Sequence, residues 1–235
     1  MTARLLALVA GLTMYGWGCA LVVLAGLGVD PWTVLAQGIA IQTGWGVGWV
    51  TNLVGLAVLL LWIPLRQRPG LGTIANIALV GTALQISLTL IAPPQTPIMR
   101  ALFLIAGVTV VGMASGIYIG ARFGPGPRDG LMTGLHARFG WPLWACRAIV
   151  EATVLVAGIL LGGTVGIGTV VFAATIGPAV HASVAIVDRI RAAARMRRLA
   201  GPRALSAVRS AASRSRDASS RGGRSSRPPS TGKCP

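Results

Sequence analysis

Acidic side chains are nearly missing from this chain. Its 235 residues include five Asp and Glu side chains, and charged residues of both signs make up 11% of the sequence. Soluble globular proteins carry roughly 25% charged residues, whereas 54% of this chain is hydrophobic. These proportions exclude an ordinary soluble domain and indicate an all-α integral membrane protein.

Side chains that bind metals or catalyse reactions are also scarce. The sequence has two His and three Cys, and the spacing of Cys19, Cys146 and Cys234 is not typical of a zinc site or a disulfide framework. It contains no nucleophile–His–acid set and no phosphate-binding loop with a lysine. We therefore predict that the protein is not an enzyme and has no catalytic residue, cofactor or metal site.

Positive charge is concentrated at the carboxyl end. The net charge is +16, and most of it follows Asp188, where Arg, Ser, Ala, Pro and Gly dominate. We interpret residues 189–235 as a basic cytoplasmic tail, mostly disordered after a short amphipathic helix at the membrane surface. Attraction to anionic lipid accounts for such a tail, so no nucleic acid is predicted as a partner.

Six apolar runs are candidates for transmembrane helices, which need roughly 20 residues to cross a bilayer. They cover residues 5–25, 47–63, 71–91, 101–121, 143–161 and 169–187. The first run is longer than the roughly 7–15 apolar residues of a signal peptide, so we interpret it as an uncleaved span. Two further segments, 31–43 and 127–139, are too short and too polar to be spans.

The chain contains an internal repeat. A shift of 96 positions places Pro31 on Pro127, Gly28 on Gly124, and Gly44-Trp45 on Gly140-Trp141 without a gap. Shared Gly, Pro and Trp are informative in a chain so rich in Leu, Ala and Val. We predict a first membrane repeat at residues 1–92 and a second at residues 93–188.

Loop charges predict the orientation of the spans, because Lys and Arg favour the cytoplasmic side. With six spans, both termini and the loops carrying Arg66 and Arg122 lie inside, and Arg100 is the single exception. Each repeat then has three spans, an odd number, so the two repeats are inverted relative to each other. The predicted protein is a multi-pass protein of the cell membrane with cytoplasmic N- and C-termini.

The two short segments are predicted to be helices that lie at the membrane interface or dip shallowly into it, one on each face of the membrane. Each has Pro at its first helical position, with Asp30 or Gly126 as the residue before it. Four tryptophans are predicted to anchor the segments at the membrane boundary: Trp32, Trp45, Trp141 and Trp144.

Arg128 and Asp129 begin the second short segment and are candidates for binding a solute or an ion. Free N–H groups at a helix N-terminus, together with a cation, favour an anionic group. The alternative is that Arg128 marks the cytoplasmic side and contacts lipid phosphate, while Asp129 complements the positive end of the helix.

Four further polar residues lie inside predicted spans and are candidates for the same site: Glu151, Arg147, Gln85 and His181. Glu151 is near mid-bilayer and is either a proton- or cation-linked carboxylate or the structural partner of Arg147, four residues earlier. Gln85 and His181 are 96 positions apart and either line a cavity or bridge helices by hydrogen bonds.

The run from Gly124 to Gly130, together with the Gly70-Leu71-Gly72-Thr73 and Gly166-Ile167-Gly168-Thr169 motifs, resembles bacterial integral membrane proteins of the YczE/YitT type. The resemblance covers roughly the first 185 residues. It implies a multi-pass protein of the bacterial cell membrane and supplies no activity or binding residue.

These observations favour a transporter-like protein for an unidentified small solute, since inverted repeats are common in secondary transporters. The alternative is a non-catalytic membrane accessory or lipid-interacting protein, because no polar pathway is evident in the sequence. The expected partners are the lipid bilayer, anionic lipid at the tail and, for a transporter, the solute.

Overall fold

The computed structural model describes residues 1–199, with side chains placed for residues 1–192. Within these residues the chain is all α-helical and has no strand. The helices are α1 (Thr2–Ala25), α2 (Pro31–Thr43), α3 (Val47–Leu61), α4 (Leu71–Leu90), α5 (Pro97–Gly120), α6 (Pro127–Phe139), α7 (Leu143–Leu160) and α8 (Ile167–Leu199). The predictions for residues 200–235 lie outside this range.

Five helices are long and apolar enough to cross a membrane: α1, α4, α5, α7 and the first 26 residues of α8. The pair formed by α2 and α3 is a sixth span if it is counted as one helix bent by 114°. The prediction of a helical membrane protein is therefore confirmed, with five or six candidate spans. α3 alone has 15 residues and extends about 22 Å, which is short for a hydrocarbon core of roughly 30 Å.

Helices α1 and α5 form the centre of the fold and pack against each other in opposite directions. The guanidinium of Arg4, at the start of α1, donates to the carbonyl oxygen of Ala121, which follows α5, at 2.9 Å. Near the other end, a Cβ on Gly107 would lie 2.7 Å from Val22. Since small residues let helix backbones approach closely, glycines along both helices permit this tight antiparallel contact.

The two short helices begin and end as the sequence predicts. Pro31 and Pro127 occupy first helical positions, and Gly44 and Gly140 end the helices in the left-handed conformation, with φ of 75° and 70°. Of these two helices, α2 is the one with a side-chain cap: the carboxylate of Asp30 accepts from the N–H groups of Trp32 and Thr33.

Several backbone features of the first four helices recur in the last four at the shift of 96 positions. The glycine at the second position of α4 and the glycine at the second position of α8 each donate their N–H to a loop carbonyl. Gly72 donates to Phe123 at 2.9 Å, and Gly168 donates to Leu27 at 2.7 Å. All the positive-φ residues within the described part of the chain form pairs at this shift: Gly26 and Arg122, Gly28 and Gly124, Gly44 and Gly140, and Arg66 and Gly162. In each half, the loop before the short helix thus accepts a hydrogen bond from a helix of the other half.

The placement of the short helices at opposite membrane faces is wrong. The carboxylate of Asp30 and the guanidinium of Arg128, at the starts of the two helices, are 3.2 Å apart in the interior. Trp32, predicted as a boundary anchor, is 5% exposed. Only the far ends of the short helices carry exposed tryptophans, at Trp45 and Trp141.

From this shared starting point the short helices run to different parts of the bundle. Near the end of α2, Gln42 donates to the carbonyl of Leu161, just after α7. In α6, a Cβ on Gly134 would meet Leu65 and Gln67, in the loop between α3 and α4. Residues 1–188 form one compact unit, and residues 189–199 continue the helix in a second unit.

Candidate functional site

An ion pair between Asp30 and Arg128 joins the two loops that precede the short helices. The Nη1 atom of Arg128 donates to Oδ1 of Asp30 at 3.2 Å, and the Thr33 hydroxyl donates to the second carboxylate oxygen. With the two backbone N–H groups of the helix cap, the buried carboxylate of Asp30 has partners on both oxygens. A buried charge is tolerated only with such compensation.

This ion pair lies at the level of the middle of α1. Arg128 lines one cavity with Tyr15, in the middle of α1, and Val29, next to Asp30, belongs to the same buried cluster as Cys19. α1 has 24 residues and is about 36 Å long, enough to cross a bilayer. The two loops therefore fold back from the ends of α1 and α5 and meet near mid-depth.

Arg128 also lies over an aromatic ring. Its guanidinium carbon is 5.1 Å from the centroid of the Trp32 ring, within range of a cation–π interaction. Trp32 and Arg128 are themselves 96 positions apart, so equivalent positions of the two halves contact each other directly.

A cavity of about 250 Å³ opens beside the ion pair. The polar and aromatic groups that line it come from all eight helices, and the rest of its wall is aliphatic, proline or glycine. Its polar and aromatic lining residues are Tyr15, Trp32, Thr51, Asn76, Ser115, Tyr118, Arg128, Asp129, Arg147 and His181. This volume is just below the roughly 300 Å³ at which pockets for drug-sized ligands begin, so the cavity has room for a small molecule.

Asp129 is the carboxylate that lines this cavity. Its side chain remains accessible there, and Tyr118 lines the same cavity. The Tyr118 ring meets that of Tyr15 edge-on, with 6.1 Å between centroids. An acidic group thus sits against an aromatic wall inside the bundle.

The two charged residues of α7, Arg147 and Glu151, form an ion pair. Nε of Arg147 donates to Oε1 of Glu151 at 2.9 Å, at side-chain exposures of 56% and 33%. Arg147 lines the cavity, whereas Glu151 does not.

Gln85 and His181 have different surroundings, although their positions are equivalent. The Gln85 side-chain oxygen accepts from the backbone N–H of Gly48 at 3.0 Å and so bridges α3 and α4. His181 lines the cavity. The cavity therefore contains four of the six candidate residues: Arg128, Asp129, Arg147 and His181.

Several residues of the site were missed from the sequence: Asp30, Trp32, Tyr15 and Tyr118. Asp30 was recognised only as a helix cap. The sequence signal for a contact at Asp30 was the shift of 96 positions, which makes Trp32, two residues after Asp30, equivalent to Arg128. Such equivalent positions are candidates to meet where the two halves join. The tyrosines gave no such signal, since each stands alone in an apolar helix.

The described residues contain no group of three or more His, Cys, Asp or Glu side chains able to hold a metal ion. Cys19 and Cys146 are buried free thiols. Cys234 lies outside the described range.

Comparison with known proteins finds relatives of similar length. Residues 2–184 match the model of a family of unknown function, DUF6198. An uncharacterised protein of Haemophilus influenzae is 43% identical over 183 residues, covering 78% of this chain and 84% of the relative. The uncharacterised membrane protein YczE of Bacillus subtilis is 29% identical, over 70% of this chain and 77% of its own, so the resemblance to YczE-type proteins is confirmed. No solved structure matches the chain.

Proposed function

This chain is an integral membrane protein of the DUF6198 family, and we propose that it carries a small polar solute across the membrane. The observation that carries the proposal is the cavity beside the Asp30–Arg128 pair, at the level of the middle of α1. Ionisable groups inside a membrane are costly and face internal cavities where they serve a function. The proposed role is transport and not catalysis.

The two halves of the chain are proposed to be inverted repeats, α1–α4 and α5–α8 up to residue 188. The paired positive-φ residues and the reciprocal loop hydrogen bonds support two copies of one fold. The equivalent helices α1 and α5 run in opposite directions, which supports the inversion. Substrate sites of many transporters lie at such repeat interfaces, between helices that begin near the bilayer midplane.

The arginine distribution favours a cytoplasmic location for the N-terminus. Arg4 contacts the loop after α5, so it shares one end of the bundle with Arg122. Since Lys and Arg favour the cytoplasmic side, we propose that this end faces the cytoplasm, with α1 leading outward.

Flux measurements test the transport proposal. Cells producing the wild type are compared with cells producing none, by profiling small solutes in the medium and in the cell extract. Arg128→Ala is expected to reduce any wild-type flux roughly tenfold or more, since a lost hydrogen bond to a charged group costs about 1.5–3 kcal/mol. Glu151→Gln is expected to have a smaller effect, because Glu151 lies outside the cavity.

The matched control is Arg138→Ala, since Arg138 is an exposed arginine of the same helix that does not line the cavity. Membrane insertion of each variant is checked by fractionation. If the wild type alters no solute, or if Arg128→Ala and Arg138→Ala give equal fluxes, the transport proposal fails. The accessory or lipid-interacting role, which the position of Glu151 outside the cavity favours, then takes its place.

A further inference from the structure

We infer that the cavity binds a small organic cation, such as a protonated amine, with the Asp129 carboxylate as its counter-ion. The inference deepens the proposed transport role by naming the chemical class of the solute. It rests on how the charges around the cavity are paired.

Both arginines at the cavity already have a carboxylate partner. Arg128 pairs with Asp30, and Arg147 pairs with Glu151. Asp129 forms no ion pair with any of the described residues, although both arginines are near enough to interact with it at longer range. Counting the two arginines with their carboxylate partners and Asp129, two positive and three negative side chains lie at or beside the cavity, and the carboxylate without an ion-pair partner is that of Asp129.

The unpaired carboxylate is free to accept further hydrogen bonds. A carboxylate has about four lone-pair sites, and the side chain of Asp129 is exposed. These sites face a cavity that Asp129 itself lines. A protonated amine would supply donors and the missing positive charge together, and such charge-assisted hydrogen bonds are the strong ones.

The aromatic wall points to a cation as well. Tyr15, Trp32 and Tyr118 line the same cavity as Asp129. The face of an aromatic ring attracts cations, most effectively where water is excluded. Trp32 already holds the guanidinium of Arg128 at 5.1 Å, while no cation within the described residues occupies the Tyr15 and Tyr118 rings in the same way.

An anionic ligand fits less well. It would have to compete with Asp30 for Arg128 or with Glu151 for Arg147, and it would approach the negative charge of Asp129. Like charges that meet in a poorly hydrated site repel strongly. The same cavity therefore discriminates between the two signs of charge.

Ligand-observed saturation-transfer NMR on the full-length protein in detergent micelles tests the inference. The probes are ethylammonium, acetate and ethanol, which are similar in size and differ in charge, at constant ionic strength. We expect saturable binding of ethylammonium and none of acetate or ethanol. Asp129→Asn is expected to weaken ethylammonium binding roughly tenfold or more, while Asp129→Glu retains it.

Asp188→Asn is the matched control, since Asp188 is a carboxylate of α8 that does not line the cavity. Binding of acetate in preference to ethylammonium would overturn the inference, as would ethylammonium binding that survives Asp129→Asn. If Asp129→Asn does not fold, the comparison of the three probes on the wild type and Asp129→Glu still decides the sign of the ligand. Cation binding without any flux would refute the transport proposal and leave this inference intact.

Discussion

The guanidinium of Arg128 is held by a carboxylate that lies 98 residues earlier in the chain and by the ring of Trp32. Asp30 is 6% exposed, and the side chain of Arg128 is 28% exposed. Removing one member of a buried pair leaves the other charge uncompensated, which costs more than the pair contributes when intact. The pair therefore fixes the contact between the two loops that start the short helices.

A double-mutant cycle measures this coupling. Arg128→Gln is expected to destabilise the protein by about 2 kcal/mol, since a hydrogen bond between charged groups contributes about 1.5–3 kcal/mol. Asp30→Asn is expected to act similarly, because Asn preserves the helix cap and removes only the charge. The double variant is expected to lose less than the sum of the two. Thermal unfolding in detergent micelles supplies the measurement.

Arg147→Gln is the control for this cycle, because it removes an arginine from the more exposed pair with Glu151. Exposed pairs contribute about 0–1 kcal/mol, so its effect should be small. Additive losses for Asp30→Asn and Arg128→Gln would show that the two side chains do not act as a pair.

Individual site residues could be predicted only where the sequence makes them unusual. Arg128, Asp129 and Arg147 stand out as charges in apolar surroundings, and all three line the cavity. Asp30 also stands out, but its position before Pro31 fits a helix cap so well that a second role is not apparent. Its actual partner depends on which loops meet in space, and a single sequence does not specify that.

At the scale of elements, α6 is held in place by the contact between Gly130 and Trp62. Trp62 is 1% exposed, and its indole N–H donates to the carbonyl of Pro127 at 3.1 Å. A Cβ on Gly130 would lie 1.9 Å from Cζ2 of this ring. Since the ring is enclosed and hydrogen-bonded, it has little freedom to move away.

Gly130→Ala is therefore expected to lower the stability by about 1–3 kcal/mol, the usual cost of overpacking, despite the better helix propensity of Ala. Gly134→Ala, in the same helix, is the matched control. There the added Cβ would meet Cγ of Gln67 at 3.0 Å, a flexible side chain, so the propensity gain of up to about 1 kcal/mol should offset the contact. Thermal unfolding of both variants tests this, and equal melting temperatures would contradict the proposed packing of α6 on Trp62.

The bounds of the short helices could be predicted, but their placement could not. Pro31, Pro127, Gly44 and Gly140 mark where α2 and α6 begin and end. Interfacial placement was predicted because both segments are short and polar, and because the five residues 44–48 leave little length for a deep re-entrant helix to return. The pairing of Arg128 with Asp30 removes much of the cost of a charged helix start inside a membrane, and this compensation becomes visible only in three dimensions.

At the scale of the whole molecule, some equivalent positions of the two halves contribute differently to the cavity. Ser115 of α5 lines the cavity, while its equivalent in α1, Cys19, does not, although the two residues are similarly buried, at 4% and 6% exposed. The same contrast holds for Asp129 and Thr33. In a transporter with inverted repeats, exchanging the conformations of the two halves produces the state open to the opposite side. The exchanged state should then have its cavity lined by Cys19 in place of Ser115.

Thiol labelling tests this exchange. One variant keeps only Cys19, with Cys146 and Cys234 changed to Ser, and the other carries Ser115→Cys and no other cysteine. A membrane-impermeant methanethiosulfonate reagent is applied to vesicles of defined orientation, from each side in turn. We expect the thiol at position 115 to react from one side and Cys19 from the opposite side, because an alternating cavity reaches one of them in each state. Reaction of both from the same side, or no reaction of Cys19 from either, would contradict an exchange between the two halves.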